Sequence, residues 1–162
     1  MPRSRLIITT LLAASALNLA LMVPGGFVET RDFSAYPSLV LGAFNVFLTV
    51  LGLGSLVLAY TVTAAGRAYG WSALAGLAFV GVYVLDLGGI FPVPPDPMST
   101  LLATLEWIGT GLGVALAAAA LVLPQGATAT SATSSLPRPV VVGLVIVALI
   151  IVAFATKSAM GN

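Results

Sequence analysis

Four stretches of the chain stay apolar for longer than a bilayer's hydrocarbon thickness requires, and that limits what it can fold into. A spanning helix needs about 20 mostly apolar residues, and a run of 18 or more is its signature. The runs cover residues 6–23, 38–62, 70–90 and 98–123, each bounded by charge or by proline and glycine. A fifth, over 140–155, is shorter but unbroken. With no water in the hydrocarbon, each segment must pair its own backbone N–H and C=O groups, and a helix does so. The expected fold is therefore an all-α integral membrane protein: a four-helix transmembrane bundle over residues 1–123, a polar linker over 124–139, and a loosely tethered fifth transmembrane helix with a short tail over 140–162.

Composition agrees. Hydrophobic residues make up 59% of the 162 and charged residues 7%, against roughly 25% charged in an ordinary soluble domain. Too few charges exist to cover a water-facing surface. The fifth run spans only about 24 Å at 1.5 Å per residue, so it needs Thr156 to Met160 to reach across. Arg3 and Arg5 ahead of an apolar stretch also resemble the start of a secretory signal. The small triplet Ala14-Ser15-Ala16 lies inside that stretch rather than after it, so retention as the first helix is expected.

Basic residues in short loops stay on the cytoplasmic side. Putting the N-terminus inside places Arg3, Arg5, Arg67 and Arg138 there and leaves Arg31 and Lys157 outside. The expected setting is the plasma membrane, with a cytoplasmic N-terminus and, if the fifth helix spans, an extracytoplasmic C-terminus. Two outer loops result. The first carries Glu29, Arg31 and Asp32; the second is the proline-rich stretch 92–97, where Asp96 before Pro97 reads as the start of the fourth helix.

The net charge of +1, with basic residues scattered, excludes electrostatic nucleic-acid binding. Cysteine and histidine are both absent, which removes disulfides, thiol redox chemistry, His or Cys metal sites and any histidine general base. No nucleophile and base pair is visible, so no enzymatic activity, cofactor or metal is expected.

A tandem hairpin duplication is indicated. Leu17-Asn18-Leu19 with Pro24 matches Leu85-Asp86-Leu87 with Pro92, and Leu41, Asn45, Thr49, Leu51 and Gly52 match Leu102, Glu106, Thr110, Leu112 and Gly113. Two helices separate the copies, so both hairpins point the same way about a pseudo-twofold axis along the membrane normal.

Asp86 and Glu106 are the two ionisable residues within the spans, where each costs about 2.5 to 3.5 kcal/mol to insert at a helix centre. Counted from the flanking prolines, Asn18, Asn45, Asp86 and Glu106 lie roughly 9 to 13 Å below the outer helix ends, in one layer. Glu106 shares a stripe with Gly109 and Gly113, and Asn45 shares one with Gly42 and Gly52. Small residues mark helix contacts in lipid, so both polar side chains should point inward. Tyr83, three residues before Asp86, is placed to reach that carboxylate.

Asn18, Asn45, Tyr83, Asp86 and Glu106 are thus the candidates for binding an ion or ligand. The bland alternative is that they tie the helices together, or that Arg31 folds down to neutralise Asp86. Two functions follow: a non-catalytic subunit or interaction module, partnered in the bilayer by a membrane protein or by copies of itself, and a small proton- or cation-coupled carrier or channel-like protein.

Overall fold

The structure, a computed structural model, describes residues 2–123 and 136–161. It contains five helices: α1 (Arg3–Leu21), α2 (Ser38–Ala65), α3 (Tyr69–Leu87), α4 (Thr100–Val122) and α5 (Arg138–Ala159). Among the described residues there is no strand, and all five helices are long and apolar enough to cross a membrane. Most of the expected linker, 124–135, lies outside the described residues.

The longest interface joins α3 to α4, followed by α1 with α2; α1 also meets α4, and α2 meets α3. The α3–α4 approach is close because two glycines face each other. A Cβ on Gly76 would come within 2.7 Å of the Gly113 carbonyl oxygen, and one on Gly113 within 2.8 Å of the Gly76 carbonyl oxygen. Without side chains there, the backbones touch and gain dispersion contacts that lipid cannot supply. Gly109 is as crowded, with the Tyr83 ring and the Asn18 amide where its Cβ would sit. Gly52 makes only an ordinary contact with Leu19, and a Cβ on Gly42 would meet nothing within 4 Å. Of the four glycines singled out by spacing, therefore, Gly109 and Gly113 sit at close helix crossings.

Ile8, Leu12, Val62, Phe79, Tyr83, Leu102 and Leu116 fill the interior. Large apolar side chains also project outward from every helix, among them Leu17, Leu39, Trp71, Trp107 and Leu149. Such a surface suits hydrocarbon rather than water, in keeping with a membrane protein.

Helix α4 starts later than expected. Its N-cap is Ser99, whose hydroxyl accepts a hydrogen bond from Leu102 N at 3.1 Å, rather than Asp96. Asp96 instead accepts from Asp32 N at 3.0 Å. Tyr36 reinforces this link, its hydroxyl accepting from Val93 N at 2.8 Å and its ring meeting Phe91 edge-on. The two loops are thereby clasped together over one end of the bundle.

The sequence left open what α5 packs against. It rests on α2, with Asn45 Nδ2 donating to Thr156 Oγ1 at 3.1 Å. Phe33 N in the first loop donates to the Ala159 carbonyl at 3.1 Å.

Candidate functional site

The polar cluster starts with a local bend in the first loop. Arg31 N and Nε both donate to Glu29 Oε1, at 3.1 and 3.0 Å, and Nη2 donates to Glu29 Oε2 at 2.6 Å. With its stem fixed this way, the guanidinium presents its remaining edge to α3. There Nη1 and Nη2 donate to Asp86 Oδ1 and Oδ2 at 3.0 and 2.7 Å. The planar fork is therefore engaged bidentately by Asp86 while also held by Glu29, an arrangement lysine could not reproduce. The Phe33 ring lies 5.4 Å from the guanidinium carbon and covers the site.

Arg31 and Glu29 are 8% and 5% exposed, although sequence position puts both in a loop. Burial alone would pull the guanidinium's proton affinity down. The hydrogen bonds and charge of Glu29 and Asp86 outweigh it, and Arg31 holds its proton more tightly than usual. Asp86 occupies the last turn of α3, where the terminal carbonyls already make the potential negative. Arg31 offsets both. The arginine that sequence alone offered as a neutralising alternative is the charge Asp86 is paired with.

Tyr83 does not use its hydroxyl on Asp86. It accepts from Asn18 Nδ2 at 3.3 Å, and the same amide donates to the Leu105 carbonyl at 3.1 Å. Asn18 thus ties α1 to α3 and α4. Asn18→Ala should lower stability by about 0.5 to 2 kcal/mol, measured as a shift in the reversible unfolding midpoint in mixed micelles. An unmoved midpoint would mean the amide contributes nothing.

Asn45, Tyr83, Asp86 and Glu106 line a cavity of about 60 Å³, along with Glu29 and Arg31. A water needs roughly 10 to 15 Å³ of such space, so there is room for a few waters or a compact polar head. Glu106 is 3% exposed, and among the described residues its Oε2 has no hydrogen-bond partner. Asp86, Arg31 and Glu29 are its charged neighbours. A carboxyl oxygen buried in this way is an acceptor without a donor. Among the described residues no group of three acidic side chains could hold a metal ion.

Spacing did not single out Gly76 or Thr156. The signal for Gly76 was present: Ser72 and Gly76 are small residues four apart on the α3 face that also carries Phe79 and Tyr83. Thr156 pairs with Asn45 across 111 positions, and no local pattern encodes that. Asp32, the third loop charge, lies at the surface and caps its own turn by accepting from Ser34 N and Oγ.

No curated protein and no solved structure matches the chain. The model of the family described as "Domain of unknown function (DUF8051)" matches residues 4–135, a stretch that holds α1 to α4 and every charged residue of the cluster. With most of its length matched, the chain belongs to the DUF8051 family.

Proposed function

We propose that this is a small multi-pass membrane protein, not an enzyme, that takes up a proton or a compact cationic group in the cavity beside Glu106. The observation that carries the reading is the unpartnered Glu106 Oε2 at that cavity. Glu29 and Asp86 already outnumber Arg31, so an excess of negative charge faces any incoming group before Glu106 is counted. An anion would be repelled; a proton or an N–H or O–H donor would be held.

The basic-residue asymmetry supports a cytoplasmic N-terminus in the plasma membrane, which puts the clasped loops and the cavity on the outer side. A duplicated hairpin origin also fits the packing. α1 pairs with α2 as α3 does with α4, and the cross contacts α1–α4 and α2–α3 are those a twofold would relate.

Vesicles containing the full chain test the reading. Glu106→Gln keeps the shape and removes the ionisable carboxyl, so proton flux or methylammonium uptake should fall at least tenfold while the helical content is retained. Equal uptake by both proteins would end it.

A second reading, a subunit or interaction module of a membrane assembly, is favoured by α5. That helix packs on α2 and leaves most of its circumference bare, including Val141, Val145, Leu149 and Phe154. Purification in mild detergent should then yield a stoichiometric partner or a homo-oligomer; a solitary monomer would count against it.

A further inference from the structure

A second opening meets the polar cavity from the side. Between α1, α2 and α5 runs a groove of about 230 Å³, floored by α2 at Thr49 and Gly52 and walled by Leu17 of α1 and Ile151 of α5. The groove and the cavity have Leu19, Met22, Pro24, Asn45 and Leu48 in common. They therefore adjoin at Asn45, whose side chain forms part of the wall of each. On α1 the groove extends from Ala13 to Ala20, about 10 Å of helix at 1.5 Å per residue, and it continues past the helix end along Met22, Val23 and Pro24. Its walls are aliphatic, whereas the cavity beyond Asn45 carries the charges. Leu17 and Ala20 at its mouth are exposed to the lipid side.

An apolar groove beside a cavity with a buried acceptor matches a molecule with the same division. We propose that the occupant is a single-chain amphiphile that enters laterally from the bilayer. Its tail lies in the α1–α2–α5 groove, and its head, a primary amine or a hydroxyl, donates to Glu106 Oε2. This rests on the binding role of Glu106 argued above and adds the ligand's class and route. The excess negative charge around the cavity selects against carboxylate and phosphate heads. The loop clasp from Asp32 to Asp96 and from Tyr36 to Val93 covers the bundle end, which leaves the lipid side as the entrance.

The test uses the full chain in phosphatidylcholine vesicles and an octadecylamine carrying a diazirine midway along its chain. An octadecanol analogue and a stearic acid analogue serve as parallel arms. Illumination should attach the amine or the alcohol to groove residues such as Leu17, Leu56 and Ile151, and whichever labels more strongly identifies the head. Gly52→Leu fills the groove from a position whose Cβ has ordinary space, and Ala20→Phe blocks its mouth. Each should cut labelling at least tenfold while the helical content is retained.

Labelling spread evenly over the lipid-facing surfaces of α3 and α4, or surviving both variants, would overturn the amphiphile even where Glu106→Gln still loses methylammonium uptake. Groove labelling by the stearic acid analogue as strong as by the amine would overturn the head assignment. If Glu106→Gln changed neither uptake nor labelling, the binding role itself would fall as well.

Discussion

Arg31→Ala should destabilise the folded chain by about 3 to 5 kcal/mol, the usual result of stripping one partner from a buried ion pair. The substitution leaves Glu29 and Asp86 buried with no counter-charge, and Asp86 remains at the negative end of a helix. Reversible unfolding in mixed micelles, followed by circular dichroism, measures it. The companion variant neutralises the ion-paired triad at once: Glu29→Gln, Arg31→Met and Asp86→Asn together leave none of these three charges unpaired and should recover most of the loss. A single-variant cost below about 1 kcal/mol, the level of an exposed pair, would show that water reaches the cluster. Arg31→Lys should fall between the two, since an ammonium cannot engage Asp86 with two parallel hydrogen bonds while holding Glu29.

The second large effect belongs to Gly76. Gly76→Leu places a branched side chain where the α4 backbone lies, with Gly113 O and Ala117 N each 2.7 Å from the new Cβ. No rotamer relieves a clash that begins at Cβ, so α3 and α4 must separate. Overpacking of this kind costs 1 to 3 kcal/mol where side chains can yield, and the backbone here cannot, so a loss of about 3 kcal/mol or more is expected. The same unfolding assay reads it. Gly42→Leu is the internal control, because a side chain there enters open space and should shift the midpoint by less than about 0.5 kcal/mol. Equal effects at both positions would contradict the crossing geometry.

The helices were legible in the sequence for a simple reason. Hydrocarbon imposes one long apolar run per crossing, so length and hydropathy alone locate α1 to α5 to within a few residues. The depth of the polar residues was legible only in part: Asn45 and Glu106 lie roughly 9 to 11 Å inside the starts of α2 and α4. Counting from Pro92 and Pro24 misplaced the other two, because α3 already ends at Leu87, beside Asp86, and α1 at Leu21, one turn after Asn18. What a single sequence cannot convey is which neighbour takes each hydrogen bond. Tyr83 stands one turn from Asp86 yet is taken by Asn18, since rotation about the helix axis decides among partners at equal depth. Asn45 turns toward Thr156 of α5 although it still lines the cavity. Asp96 had the composition of a helix cap, but Ser99 holds the position because the clasp between the loops claims the aspartate.

The loop origin of Arg31 bears on how the chain is made. Translation delivers α1, the arginine and α2 before α3 leaves the ribosome, so a guanidinium is already waiting when Asp86 reaches the bilayer. The third segment then need not bear the insertion cost of its carboxylate alone. Were the hairpins exchanged in order, the acid would arrive ahead of its base.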